Sequence, residues 1–240
     1  MGREREMAEV KQALAGTRLL TLTGKGGSAK TRLALEAARD LIGSYPDGVW
    51  LVELAPLSEG ELVPKAVAEA LEVAERPAQS LSNTLAEVLR DRHLLLVVDN
   101  CEHLLEATAQ LMDKLLDSCP HLQIMATSRE ALGVEGELKW TVPPRSVPEP
   151  QEMLSSEELE AYESVRLFVE RARGRDPSIS LNSHSALAVA KICRMLEGIP
   201  LAIELAAARV GTLSLEQISE RLEGSLELLT RGRQCQGTGR

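Results

Sequence analysis

Eight residues, Gly24-Lys25-Gly26-Gly27-Ser28-Ala29-Lys30-Thr31, constrain what this chain can fold into more than any other stretch. An apolar run, Leu19-Leu20-Thr21-Leu22-Thr23, precedes them, and a helical pattern of Leu33, Leu35, Ala37, Ala38 and Leu41 follows. A strand, a glycine-rich turn and a helix opening on Lys-Thr form a phosphate-binding loop. Glycines let several backbone N–H groups converge on phosphate oxygens, and the helix N-terminus adds its positive end. On this reading Gly24, Gly26, Gly27, Ser28, Ala29 and Arg32 line a nucleotide. Lys30 reaches the terminal phosphates, and the Thr31 hydroxyl completes a Mg²⁺ shell.

One position departs from the pattern. Glycine is expected immediately before the lysine, and Ala29 stands there. If the backbone needs a positive φ at that point, alanine costs roughly 1–2 kcal/mol. If it must lie against a phosphate, the methyl group occupies ligand space. A glycine-rich turn that binds nothing is the competing reading.

The rest of the chain extends this unit. Val49-Trp50-Leu51-Val52-Glu53-Leu54, Leu94-Leu95-Leu96-Val97-Val98-Asp99-Asn100 and Leu122-Gln123-Ile124-Met125-Ala126-Thr127 read as further strands. The continuous apolar character of 49–54 suits a strand buried on both faces. Helical spacing marks 3–15, 62–71, 81–89 and 102–117, and 138–142 reads as an edge strand. Alternating strands and helices predict an α/β fold, a mainly parallel sheet with helices on both faces. Ligands of such sheets bind beyond the strand carboxyl ends. The loop, Asp99 and Thr127-Ser128-Arg129 all fall there.

Asp99, closing an apolar strand, is placed to orient the Mg²⁺ ion; the alternative is a helix cap, because Asp99-x-x-Glu102 also has capping-box spacing. Asn100 follows where a vigorous ATPase often carries a second acid, and an amide orients water without accepting its proton. Glu102 is either a substitute base or a solvated helix residue. Arg129 either pairs with a terminal phosphate, telling triphosphate from diphosphate, or is an ordinary exposed arginine. The catalytic set is thus Asp99, Asn100 and Arg129, with slow or absent hydrolysis. Lys25 either adds charge near phosphate or faces solvent, and His103 reads as a helix-face residue.

Pro143, Pro144, Pro148 and Pro150 punctuate a stiff linker over 143–152, after which everything reads helical. The expected organisation is a nucleotide-binding domain at 1–150, a small all-α domain at 153–230 and a disordered tail at 231–240. Within the second domain Ser155-x-x-Glu158 has capping-box spacing, and Val165, Phe168, Val169 and Ala172 form a stripe. Asn182 or Ser183 caps a helix carrying Leu187, Ala190, Ile192, Cys193 and Leu196. Pro200 opens another helix, and Ser214-x-x-Gln217 starts a last short one.

Composition narrows the function. With a formal net charge of −9 and only two Trp, two Tyr and one Phe, the chain has neither a general attraction to nucleic acid phosphate nor a stacking surface. Direct nucleic acid binding is therefore not expected. Cys101, Cys119, Cys193 and Cys235 form no C-x-x-C pair, and the histidines lack zinc spacing; reduced, mostly buried thiols are the better reading. No apolar leader or membrane-length run is visible, so a cytoplasmic protein is expected.

GKGGSAKT, LLLVVDNCEHLL, MATSREALG and GIPLAIELAAAR, in that order and spacing, resemble the nucleotide-binding module of bacterial STAND regulators. These are NB-ARC-like ATPases of LuxR-type and antibiotic-regulatory transcription factors of actinobacteria. The resemblance covers about residues 2–233. It implies a P-loop NTPase domain followed by a helical domain, with ATP or ADP and Mg²⁺ buried between them. It puts Gly198, Pro200 and Leu201 at the adenine side, and Gly2-Arg3-Glu4 looks like the end of a base-contacting motif. Relatives continue into winged-helix, sensor and DNA-binding domains, so a truncated or excised product is expected. The function implied is a regulatory switch in which ADP holds a resting form and ATP favours one that self-associates or meets a regulatory protein. An active ATPase or kinase-like phosphoryl transferase and a nucleotide-free scaffold are the alternatives.

Overall fold

A computed structural model describes residues 3–149, 155–177 and 179–234. The chain divides into two compact units, Met1–Val142 and Pro143–Arg240.

The first unit is built on a five-stranded sheet: β1 (Leu19–Thr23), β2 (Val49–Glu53), β3 (Leu95–Asp99), β4 (Gln123–Ser128) and β5 (Glu137–Thr141). Their spatial order is β2-β3-β4-β1-β5, and every neighbouring pair is parallel. Five helices cover it: α1 (Glu4–Ala15), α2 (Lys30–Asp40), α3 (Val63–Ala70), α4 (Leu81–Leu89) and α5 (Leu105–Ser118).

Side-chain alternation divides the central strands between two cores. Leu20, Leu22, Leu95, Val97 and Met125 pack with Val10, Leu14, Leu33 and Ala37 from α1 and α2. Leu19, Leu96, Val98, Ile124 and Ala126 pack with Val67, Leu85, Leu111 and Leu115 from α3, α4 and α5. Burial on both faces explains why β1, β3 and β4 read as unbroken apolar runs.

β2 corrects the expectation drawn from its composition. It lies at the sheet edge and leaves Leu51 40% exposed, while Val52 alone of the strand is fully enclosed. The helix expected over 102–117 also starts later. Asn100 takes a left-handed conformation (φ 63°), which turns the chain into a short 3-10 segment, Cys101–His103, before α5 begins at Leu105.

The second unit is helical: α6 (Ser156–Glu160), α7 (Glu163–Arg173), α8 (Ser183–Met195), α9 (Pro200–Ala207) and α10 (Leu215–Gln234). Phe168, Val165, Val169 and Ala172 of α7 meet Ile192, Cys193, Ile203 and Ala207 in a core of its own. Leu187, expected among the apolar residues of α8, is instead 67% exposed. The Ser155 hydroxyl accepts from Glu158 N–H while the Glu158 carboxylate accepts from Ser155 N–H, a complete capping box. That pairing holds the Glu158 carboxyl below the usual carboxylate range. Asn182 caps α8 through Oδ1, which accepts from Ser185 N–H at 2.9 Å.

Two expectations about chain organisation change. Residues 143–149 belong with the second unit: Arg145 N–H donates to Gly198 O at 3.1 Å and Glu163 N–H donates to Ser146 Oγ at 3.1 Å. The last helix is long rather than short, running through Arg231 to Gln234 from a reciprocal Ser214–Gln217 cap. The remaining linker residues at 150–154, and residues 235–240 of the expected tail, lie outside the described residues.

Candidate functional site

The carboxyl ends of β1, β3 and β4 are neighbours on one rim, where open α/β sheets bind ligands. From β1 the chain enters the glycine loop. Gly27 takes φ 77° and Ala29 takes φ 66°, ψ 31°, so the backbone curls as a phosphate loop requires despite the alanine. The first of the two costs considered for that residue, a left-handed conformation on an alanine, is present. Ala29 O accepts from Leu33 N–H at 3.0 Å, so the same residue starts α2.

The loop holds polar groups suited to an anion. Lys30 is buried, and its Nζ donates to the carbonyls of Gly24 (3.0 Å) and Lys25 (3.4 Å). Burial pulls its pKa below the ordinary lysine value; Glu102 and Asp99 act against that shift and Arg129 with it. The Ser28 hydroxyl is buried with no hydrogen-bond partner among the described residues. A shielded ammonium and an unsatisfied hydroxyl beside curled backbone fit a phosphate group. Lys25 itself is exposed.

Asp99 is the hub of the rim. Its Oδ1 accepts from the hydroxyls of Thr31 (2.7 Å) and Thr127 (2.5 Å), and Thr127 Oγ1 accepts from Asn100 N–H at 3.1 Å. Asp99 is 6% exposed and Thr127 is fully buried. The carboxylate therefore faces the loop threonine, and α5 starts without a side-chain cap, which removes the capping alternative. Thr31 and Asp99 are adjacent hard oxygen donors, the set that Mg²⁺ takes beside phosphate and water.

Arg129 follows β4. Its Nε lies 3.2 Å from Glu102 Oε1, and its Nη2 would be 3.8 Å from a side chain added at Gly26. The guanidinium thus stands at the mouth of the loop, 68% exposed. Arg32 is not brought in: its Nε pairs with Glu36 along the outside of α2 at 3.1 Å. His103 is part of the 3-10 turn, with Nε2 3.1 and 3.0 Å from the carbonyls of Leu54 and Leu57, an arrangement that ties down the chain after β2. Pro200 and Leu201 open α9 in the second unit, Pro200 buried and Leu201 51% exposed.

Sequence reasoning placed the Thr127 segment at the rim without assigning the hydroxyl a role. A threonine closing an apolar strand was the available signal, and only strand register sets it against Asp99. Cys101, Cys119 and Cys193 are buried free thiols, while Cys235 lies outside the described residues. Among the described residues no helix is long and apolar enough to cross a membrane.

Known proteins resemble this chain. The family model of the NB-ARC domain matches residues 3–164. An uncharacterized protein of Mycobacterium tuberculosis is 40% identical over 229 residues, covering 95% of this chain and 55% of its own length. A "Putative HTH-type transcriptional regulator" of the same organism is 41% identical over 223 residues, 93% of this chain and 24% of that protein. The chain therefore spans about half the length of the first relative and a quarter of the second. Among solved structures, a Signal Transduction ATPase with Numerous Domains (STAND) carrying a tetratricopeptide repeat sensor, from Pyrococcus horikoshii, aligns with TM-score 0.52 at 15% identity, over 92% of this chain and 32% of its own. The ORC2 protein of Aeropyrum pernix aligns with TM-score 0.56 at 12% identity, over 92% and 68%. At these identities the structures show the fold, that of a P-loop NTPase.

Proposed function

The chain belongs to the NB-ARC family, and from that premise we propose that it is the ADP/ATP-binding switch module of a signal-transducing ATPase of the transcriptional-regulator type. The observation that carries this reading is the 2.7 Å hydrogen bond from Thr31 to Asp99 beside a curled loop with a buried lysine. The parts that hold the phosphates and the ion of a Mg²⁺–nucleotide are assembled together.

Gly24, Gly26, Gly27, Ser28 and Ala29 would present backbone N–H groups to the phosphates, and Lys30 would exchange its loop carbonyls for phosphate oxygens. Thr31 and Asp99 would hold Mg²⁺, which supplies positive charge to the phosphates when bound. Arg129 is assigned to a terminal phosphate. Arg32 has its side chain on Glu36, so a role at the nucleotide falls to its backbone. Asn100 stands beside Asp99 without an acidic group, and hydrolysis is accordingly slow.

A switch requires nucleotide to bind two forms of the protein with different affinity. ADP is proposed to favour the resting form, and ATP the form that self-associates or engages a regulatory protein. A methyl group at Ala29, where the loop pattern has glycine, favours a second reading, a scaffold whose loop no longer admits a phosphate.

Calorimetric titration with ADP, ATP and Mg²⁺ separates the two. Heat with the native chain, diminished on removing Mg²⁺, supports the switch. Silence from the native chain, together with binding by Ala29→Gly, transfers the assignment to the scaffold. Phosphate release followed over hours tests the slow hydrolysis; steady turnover that collapses in Asp99→Ala would make the protein an active ATPase.

A further inference from the structure

Glu102 occupies the 3-10 turn directly after β3, and the two oxygens of its carboxylate have different surroundings. Oε1 faces Arg129 Nε at 3.2 Å, whereas Oε2 is buried without a hydrogen-bond partner among the described residues. The Glu102 side chain is 19% exposed and its arginine partner 68% exposed. A half-buried carboxylate with one oxygen enclosed and unsatisfied is unfavourable unless a charge faces it. The opposite holds for the arginine, which is largely hydrated and only lightly held, because such half-exposed pairs contribute little. Arg129 can therefore change partners easily, and its Nη2 already lies by the Gly26 end of the phosphate loop.

We propose that Glu102 sets the balance between diphosphate and triphosphate at this site, by holding Arg129 as a counter-ion that a terminal phosphate must take away. This inference rests on the nucleotide-binding reading above. A diphosphate leaves the Glu102–Arg129 pair intact and incurs no penalty from it. A triphosphate draws the guanidinium to its terminal oxygens, since phosphate offers a stronger, bidentate partner. The carboxylate then remains half-buried, unpaired and close to the new negative charge. Glu102 thus acts through Arg129 and biases the site towards ADP. The Lys30 ammonium feels the same carboxylate: Glu102 is the strongest of the charges acting on it.

The test compares dissociation constants for ADP and for the non-hydrolysable triphosphate AMP-PNP, both with Mg²⁺, by calorimetry on the full chain. Glu102→Gln should raise the preference for AMP-PNP over ADP by about tenfold, as expected for removing one like-charge contact. Glu102→Asp, which keeps the charge, should stay near the native preference. On an Arg129→Gln background the Glu102→Gln change should shift the preference less than it does in the native chain, because most of the coupling runs through the arginine; an equal shift on both backgrounds overturns the proposal. A preference unchanged in Glu102→Gln, with ADP still bound, overturns this inference alone. So does a Glu102→Gln variant that loses phosphate release from ATP without altering the two affinities, for the carboxylate would then serve water rather than the arginine. Absence of ADP binding by the native chain overturns the nucleotide-binding reading and this inference with it. Should Glu102→Gln fail to fold, Arg129→Gln carries the test: its preference for AMP-PNP must fall below native, and an equal preference refutes the proposal.

Discussion

Ala29 carries a left-handed backbone on a residue whose side chain disfavours it, at roughly 1–2 kcal/mol. Replacing it by glycine relieves that cost but adds freedom to the unfolded chain, which offsets roughly 0.4–1 kcal/mol. Ala29→Gly is therefore expected to stabilise the protein by up to about 1.5 kcal/mol, read as a higher urea midpoint with unchanged slope. A lower midpoint would mean that the alanine methyl contributes packing that outweighs the strain. Cys193 offers a second check. Burial pushes its thiol up to about 12 from 9.0, so the folded chain holds a proton that the unfolded chain releases. Its contribution is complete below pH 9 and is lost as pH rises from 9 towards 12. The urea midpoint should fall between about pH 8 and about pH 10.5, and Cys193→Ala should flatten that fall. A thiol reagent at about pH 8 should modify Cys193 only once the chain unfolds.

Gly198, between α8 and α9, shows how tightly the first described stretch of the second unit is tied in. Its φ is 66°, and a Cβ there would lie 2.1 Å from Arg145 O, the residue whose N–H it also bonds. Gly198→Ala should cost more than about 3 kcal/mol, since it combines backbone strain with a clash against main chain. The loss should appear in the unfolding of the helical unit, followed by hydrogen exchange at Phe168 and Ile192, while Leu96 and Met125 keep their protection. What could be read beforehand follows a physical division. β1, its loop, β3 and β4 were legible because runs buried on both faces and glycine punctuation are local signals. The exposed edge at β2 was not, since Val49–Leu54 has the composition of an interior strand and only strand order puts Leu51 in solvent. The delayed start of α5 depends on Asn100 adopting a positive φ, which few residue types other than Asn or Asp would permit. Within the site, Lys30, Thr31 and Asp99 carry their chemistry in their spacing. The Thr127 hydroxyl and the Glu102–Arg129 pair arise only when β3 and β4 align, and Arg32 turns to Glu36 because a helix offers it a neighbour four residues on.

Each unit has a core of its own: among the described residues, the apolar clusters of the first contain nothing beyond Val142, and that of the second nothing before Leu159. A chain ending at Val142 should thus fold alone and unfold in one cooperative urea transition, with its NMR amide dispersion retained. A broad, non-cooperative transition would show that the helical unit is needed to complete it. The sheet at the centre of that unit has a property of wider reach. A strand with one wet face fixes its alignment because slipping by one residue would drive polar groups inward. β3 has no wet face: Leu95 and Val97 on one side could trade places with Leu96 and Val98 on the other at little hydrophobic cost. The oily interior is nearly indifferent to a frame error there. Asp99 is not, because such an error would part it from Thr31 and Thr127 together. In this protein the polar tip of a strand polices the alignment of its greasy shaft, so the chemistry at the rim also serves as the fold's proofreader.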